Sequence, residues 1–223
     1  MSMNLNFAES ENYVAGNYLK PWGIYKVKVA DCELKSFQGK QDTTKTYDTI
    51  QLTFADEDGA KYIETIFKPN SDKRGETTDS TGHVRQQPSS LENFKFEIAQ
   101  LLSNICPKAM EKLITAKSLS IESVMKFVTE SLKQSVGTEV YIKLIGDSKG
   151  RARFPYFLNI DNNGKPFVKN FISTKEGALG FSAYEEDKRK KVAEAKPTKM
   201  ASTSNTEGSE DQGALDLDLS SLV

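Results

Sequence analysis

The chain has 223 residues, of which 37% are hydrophobic and 27% are charged, and its formal net charge is −1. This length predicts one domain with an added tail rather than two full domains, and the absence of an apolar run of 18 residues excludes a transmembrane helix. The single histidine, His83, and two scattered cysteines, Cys32 and Cys106, exclude a histidine-rich metal site and a disulfide framework. We therefore expect an exposed histidine and two reduced, buried thiols.

The common catalytic and nucleotide-binding motifs do not occur in the sequence. There is no GxxxxGK[ST] loop, no GxGxxG after a strand and no HExxH helix. Residues 56–58 are acidic and precede Gly59, but the spaced ligands of a calcium loop are missing, so a turn is favoured. We therefore expect a protein that is not an enzyme and needs no metal or cofactor.

Charge is distributed unevenly along the chain. Residues 201–223 contain five acidic residues and neither lysine nor arginine, so residues 1–200 carry a net charge of +4. A basic body with an acidic segment is typical of proteins that bind nucleic acid, although an acidic tail can also serve solubility alone. The alternation of leucine and aspartate near residue 217 favours docking on a partner through Leu215, Asp216, Leu217, Asp218, Leu219, Leu222 and Val223.

In chain order, the first elements are strands. Residues 23–34, 47–54 and 61–68 alternate apolar and polar side chains, which predicts a three-stranded antiparallel meander with a tight turn after the second strand. Residues 36–46 and 70–88 are polar and predict loops, of which the second is unusually long. The first part of the body is therefore predicted to be a small β-sheet.

Two amphipathic helices follow. Apolar residues recur at helical spacing in residues 91–105, which Pro107 ends, and again in residues 121–132. We expect the methionine and aromatic side chains on these helical faces to lie in the core. Residues 89–135 are therefore interpreted as one helical insert.

Strand patterns return after the helices. Residues 138–145, 151–160 and 167–172 show a period of two, with glycine-containing turns between them. A charged run from residue 185 predicts a short helix that Pro197 ends, and the composition beyond it cannot form a core. The predicted divisions are a domain over residues 1–184, a charged helix or linker over residues 185–200 and a disordered acidic interaction tail over residues 201–223.

This order of elements predicts a mainly β fold of the α+β class. Three strands, a helical insert and two strands with an extra hairpin match the five-stranded antiparallel Greek-key barrel of the oligonucleotide-binding (OB) type, in which the helix lies between strands three and four. A β-sandwich, or an open sheet covered by helices, would produce the same order.

Basic and aromatic residues alternate along the strands and the loops between them. When single-stranded nucleic acid is bound without sequence preference, cations follow the phosphates and rings stack on bases, at about 1–3 kcal/mol per base. The predicted stacking residues are Trp22, Phe37, Phe67 and Tyr156. The predicted cationic contacts are Lys26, Lys28, Lys40, Lys68, Lys73, Arg74, Arg151 and Arg153.

The alternative interpretation is that the rings belong to the core and the lysines to solvated strand faces. We favour this interpretation for Tyr25, Phe54, Phe94 and Phe157. Arg151 and Arg153 are two residues apart and are expected on one face of their strand, where they can bind phosphates or solvent equally well.

Four segments resemble the single-stranded DNA-binding proteins that tailed bacteriophages encode: residues 18–29, 47–54, 58–60 and 66–69. The resemblance implies an OB domain that coats single strands during DNA replication, recombination and repair in the cytoplasm of the bacterial host, and that can form homo-oligomers. It also implies a tail that recruits replication and recombination proteins and competes with DNA. The family tail usually ends in phenylalanine, whereas this one ends in Leu222-Val223, so the partner of the tail is left open.

The expected function is therefore nonspecific binding and protection of single-stranded DNA. The absence of a basic and apolar leader in the first eleven residues is consistent with a cytoplasmic protein without membrane contact. One alternative is a phage structural or cargo protein whose tail docks on a partner without DNA binding. Another is an annealing or helicase-loading factor that binds DNA weakly.

Overall fold

The structure is a computed structural model that describes residues 17–39, 44–78, 82–116, 119–147, 149–155, 158–161 and 164–194. Within these ranges the chain has a mixed α+β fold that is mostly antiparallel sheet, as predicted. Its strands are β1 (Gly23–Gln38), β2 (Thr46–Ala55), β3 (Lys61–Phe67), β4 (Gly75–Thr78), β5 (Val84–Gln87), β6 (Glu139–Gly146), β7 (Ala152–Arg153), β8 (Leu158–Ile160), β9 (Pro166–Val168) and β10 (Ile172–Ser173). Its helices are α1 (Ser90–Ile105), α2 (Pro107–Thr115), α3 (Ile121–Lys133) and α4 (Ala183–Glu194).

The main sheet has the strand order β10-β6-β1-β2-β3, and β7 adds to β6. β1 is long enough to join both parts, because residues 23–28 pair with β6 and residues 28–38 pair with β2. The register of β1 against β2 shifts between Val29 and Asp31, and such a bulge bends a strand and increases its twist. The sheet is therefore curled into half a barrel.

The inner face of the curled sheet supplies the core. Ile50, Leu52 and Phe54, which alternate along β2, are completely buried, as their spacing predicts. α3 packs against β1 and β2, and α1 packs against β6 and β10. Leu101 of α1 and Val128 of α3 are also completely buried, so the sheet and the helices share one hydrophobic core.

Capping residues explain where the helices begin. The hydroxyl of Ser89 accepts the backbone N–H of Glu92, and the Glu92 carboxylate accepts the N–H of Ser89, which forms a capping box at α1. The hydroxyl of Ser120 accepts the N–H of Ser123 at the start of α3. Pro107 begins α2, because a proline is tolerated in the first turn, where its missing N–H is not needed. The two predicted amphipathic helices are confirmed as α1 and α3, and α2 is a helix that was not predicted.

One loop prediction and two strand predictions are wrong. Residues 70–88 were expected to be a loop but contain the hairpin β4–β5, whose eight residues are all exposed and so show no apolar period. The single strand expected over residues 151–160 is divided into β7 and β8 around Phe154 and Pro155, because proline has no N–H for a strand ladder. The strand expected over residues 167–172 is divided between β9 and β10.

A cluster of polar side chains between β3 and α1 contains the buried Tyr62 and the half-buried Glu64 and Glu97. The hydroxyl of Tyr62 donates to the carboxylate of Glu64 and accepts the backbone N–H of Phe154 at 3.0 Å. Burial raises the pKa of Glu64, and burial together with the nearby charge of Glu64 raises the pKa of Glu97 well above its usual range. The contact from Phe154 also brings the chain after β7 against β3.

Helix α4 is the charged helix that the sequence predicts near residue 185. It is joined to the sheet by Lys143 of β6, whose side chain is almost completely buried. The Lys143 ammonium donates to the carbonyl of Gly180 at 3.0 Å and lies 3.3 Å from the carboxylate of Glu185. The first turn of α4 is therefore fixed to the body of the protein.

The two cysteines are free thiols in different surroundings. Cys32 is completely buried, and burial raises its pKa to about 12. Cys106 is only half-buried, which corrects the expectation of two buried thiols.

His83 is exposed, as predicted. Among the described residues, no helix combines the length and the apolar character needed to cross a membrane.

Candidate nucleic-acid interface

Three exposed rings meet on the outer face of the meander formed by β1, β2 and β3. Phe37 lies opposite Tyr47 in the β1–β2 pairing, and Phe67 lies opposite the neighbouring Thr49 in the β2–β3 pairing. The Phe37 ring centroid is 6.0 Å from that of Tyr47 and 5.9 Å from that of Phe67. We call Phe37, Tyr47 and Phe67 the aromatic patch.

The aromatic patch is exposed although alternate residues of the same strands are buried. Phe37 and Tyr47 are each 41% exposed and Phe67 is 51% exposed, whereas Ile50 and Ile66 on the inner face are at most 2% exposed. The rings lie on the outer face because side chains alternate along a strand and the inner positions are filled by the core. A contiguous exposed aromatic surface is typical of a binding site.

Lys45 and Lys68 lie beside the aromatic patch. Lys68 follows Phe67, and its ammonium lies 2.6 Å from the carboxylate of Glu122 at the start of α3 and 3.9 Å from that of Asp48. The hydrogen bond with Glu122 raises the pKa of Lys68 and lowers that of Glu122 to about 2, so both are charged at neutral pH. Lys45, Tyr47, Phe67 and Lys68 line a groove of about 340 Å³.

A second groove lies at the other end of β3. Its volume is about 450 Å³, and its lining includes Tyr18, Lys20, Lys61, Ile63 and Arg151. Tyr18 is 61% exposed, and its backbone forms a bridge with Lys61. We call these five residues the basic groove.

The outer side of β3 connects the basic groove with the aromatic patch. Lys61, Ile63, Thr65 and Phe67 are spaced by two residues and therefore point to the same face. At about 3.4 Å per residue, the distance along the strand from Ile63 to Phe67 is about 14 Å. The two surfaces therefore form one track that is lined by rings and cations.

Lys26 and Lys28 share an exposed face of β1, as predicted, but lie far from the aromatic patch. Their ammonium groups are 3.1 and 3.5 Å from the carboxylate of Glu139 on β6. Nine residues separate Lys28 from Phe37 in the same strand, which is about 30 Å. The structure therefore does not place these lysines with the rings.

Arg74 occupies a different position from the other predicted cations. Its guanidinium forms hydrogen bonds of 2.7–3.0 Å with the Glu92 carboxylate, and also donates to the Gln86 side chain at 3.2 Å and to the Gly164 carbonyl at 2.8 Å. These contacts join α1, the hairpin β4–β5 and the turn between β8 and β9. Lys73, the preceding residue, is exposed.

Three other predicted residues lie near the basic groove or the interior. Arg151 is 72% exposed and its guanidinium is 2.7 Å from the Asp147 carboxylate. Arg153 is half-buried, and its charge partly offsets the rise in the pKa of Glu64. Trp22 has a φ of 64° and packs its indole over Gly146, where an added Cβ would lie 2.7 Å from the indole nitrogen.

Several predictions fall outside the described residues. These are Lys40, Tyr156, Phe157 and the tail residues Leu215, Asp216, Leu217, Asp218, Leu219, Leu222 and Val223. Of the rings assigned to the core, Phe54 and Phe94 are buried and Tyr25 is half-buried.

Comparisons with protein families, with curated proteins and with solved structures found no match for this chain.

The sequence did not indicate the basic groove, apart from Arg151. Tyr18 and Lys20 are close to Trp22 in the chain. Lys61 and Ile63 precede Phe67 by an even number of positions in the same strand. Choosing Phe67 as an outward residue of β3 would therefore have placed Lys61 and Ile63 on the same face. In the described part of the chain, no group of three or more metal-ligating side chains is present.

Proposed function

We propose that this protein binds single-stranded DNA without sequence preference, through the aromatic patch and the basic groove, and that it is not an enzyme. The observation that carries the proposal is the set of three exposed rings on one face of the sheet, in which Phe37 packs tilted against Tyr47 and edge-to-face against Phe67, with Lys45 and Lys68 beside them. Each ring offers a stacking surface to an unpaired base, whereas the bases of a duplex are already stacked on each other. The proposed setting is phage DNA replication and recombination, as the resemblance of the sequence suggests.

The strand connections support an OB-like barrel as the fold that carries this site. β1 pairs with β2 through one end and with β6 through the other, and the helices α1 to α3 precede β6. In OB domains, strands two and three and the loops L12 and L45 bind oligonucleotides. If β6 is the fourth strand of such a barrel, Phe37 and Tyr47 would flank L12, Phe67 would end the third strand and Arg151 would belong to L45. The contact of Phe154 with Tyr62 is where such a barrel would close.

Phosphates would replace the carboxylates that now neutralise the cations of the site. Lys68 pairs with Glu122, and Arg151 pairs with Asp147. Both pairs are partly exposed, and exposed ion pairs contribute little to stability, so exchange of partners is accessible. Each phosphate that is neutralised releases a counterion, and we therefore expect affinity to fall steeply with salt.

Substitution of Phe67 by alanine tests the proposal. We expect the full chain to bind a fluorescein-labelled oligothymidine in an anisotropy titration, and Phe67→Ala to weaken binding by about 5- to 150-fold, the loss that removal of one stacking partner predicts. Tyr184→Ala is the matched control, because Tyr184 is 70% exposed but lies on α4.

The titration is repeated at 50 and 200 mM salt. Absence of binding at the lower salt concentration, or equal affinities of Phe67→Ala and Tyr184→Ala, would refute the proposed interface. A protein that lacks DNA binding altogether would favour the structural or cargo alternative.

A further inference from the structure

An apolar groove of about 570 Å³ lies among helices α1, α2 and α3. Its floor includes Phe94 and Ile98, which are buried in the core, and its rim includes Ile114 and Leu119, which are 70% and 48% exposed. Among the described residues that line the groove, Lys95 alone carries a charge. We call it the helical groove.

The helical groove and the candidate DNA-binding site are separate surfaces, and they lie next to each other. Ile121 lines one end of the groove, and the next residue, Glu122, forms the ion pair with Lys68 beside the aromatic patch. Exposed apolar surface of this kind is costly in water and marks a surface that another chain segment covers.

The tail has the composition to fill this groove. Leu215, Leu219 and Leu222 are spaced at i, i+4 and i+7, which is the spacing of the anchors by which an amphipathic helix occupies a hydrophobic groove. The intervening Asp216 and Asp218 bring negative charge. Lys95 in the lining, and the exposed Lys108 and Lys112 of α2, supply the complementary positive charge.

The tail is also long enough to reach the groove. Twenty residues separate Glu194, the last residue of α4, from Leu215, and fully extended they span about 66 Å. A compact body of this size is about 40 Å across, from a radius of gyration of about 16 Å. A covalent connection of this length gives the end of the chain an effective concentration of about millimolar, which favours this segment over a second copy of the chain.

We propose that residues 214–223 occupy the helical groove of the same chain, with Leu215, Leu219 and Leu222 against its apolar lining. Docking covers the leucines, so a partner protein gains access to the tail only by competing with the groove. It also holds the acidic residues of the tail next to the aromatic patch. The proposal does not depend on DNA binding, and its test uses no DNA.

Photocross-linking in the full chain tests the proposal. Ser221 is replaced by p-benzoylphenylalanine, which leaves the three leucines unchanged, and the products are mapped by mass spectrometry after irradiation at low micromolar protein. We expect cross-links to residues 91–124 within a single chain. Ile114→Asp should reduce their yield about ten-fold, because a carboxylate would face the leucines.

Val84→Asp is the matched control, since Val84 is 61% exposed but lies on the hairpin β4–β5. Lys95→Glu is a second groove variant that leaves the apolar lining intact, and it should also reduce the yield; circular dichroism melts check that each variant is folded. Cross-links mainly between two chains would overturn the proposal in favour of a second copy as the occupant. Cross-links elsewhere on the body, no cross-links, or equal yields for Ile114→Asp and Val84→Asp would also overturn it.

Discussion

Glu97 of α1 lies near Glu64 of β3, both half-buried, and replacing it by glutamine removes a carboxyl group that is costly to ionise there. Its pKa is raised well above the ordinary value by burial and then by the charge of Glu64. The folded protein therefore holds the Glu97 proton more tightly than the unfolded chain. The stabilisation is complete below the unfolded pKa, near 4.5, and is lost as the pH rises towards the folded pKa.

The size of the effect follows from this difference. Each pKa unit between the folded and unfolded states corresponds to about 1.4 kcal/mol, and 1 kcal/mol moves the Tm of a domain of this size by about 2–4 °C. We therefore expect Glu97→Gln to raise the Tm at pH 7, by about 3–6 °C for each unit by which folding raises the pKa, and to leave it nearly unchanged at pH 4.5.

Thermal melts followed by circular dichroism between pH 4.5 and 8 measure this effect. Glu130→Gln on α3 is the control, since it removes one carboxylate from an exposed helical position. If the Tm of Glu97→Gln has the same pH profile as that of the unmodified protein, or is lower at pH 7, ionisation of the Glu97 carboxyl does not reduce the stability of the folded protein. Tyr62 and Arg153 also interact with Glu64, and neither residue is substituted in these variants.

Three further predictions concern the candidate site. Glu122→Gln removes the closer of the two carboxylates beside Lys68 and should tighten oligothymidine binding about two- to five-fold at low salt, and equal affinity for Glu130→Gln would argue against competition at Lys68. Deletion of residues 201–223 should tighten binding at low salt in anisotropy titrations, and unchanged or weaker binding would count against competition by the tail. Gly146→Ala should displace the Trp22 indole, since its Cβ would approach to 2.7 Å; the expected readout is a shifted tryptophan emission together with a lower Tm, and an unchanged spectrum would contradict the packing.

The sequence predicted elements that bury one regular face. Ile50, Leu52 and Phe54 alternate in β2 and are all buried, and the helical spacing in residues 91–105 corresponds to α1. The hairpin β4–β5 was missed because hairpins without a buried face leave no apolar period in the sequence. α2 was missed because a proline that follows a helix ends that helix and is equally suited to begin another. The sequence around Pro107 does not distinguish the two cases.

The candidate site was predictable only in part. Phe37, Phe67 and Lys68 were selected from the mixture of rings and cations, and the register of three strands brings them together with Tyr47. Composition alone could not separate Arg74 from Lys68, because both are cations in polar surroundings. Whether a cation faces solvent or joins distant segments depends on residues far away in the chain, such as Gly164 for Arg74.

The position of Arg74 has a consequence for local opening of the molecule. One guanidinium binds groups that are 12, 18 and 90 residues away in the chain, on two hairpins and a helix. Fraying of either hairpin breaks contacts that also hold the other, so the amides of β4–β5 and β8–β9 should exchange with deuterium as a single cooperative unit. A lysine at this position offers one ammonium in place of a planar fork and would divide that unit into two that open independently.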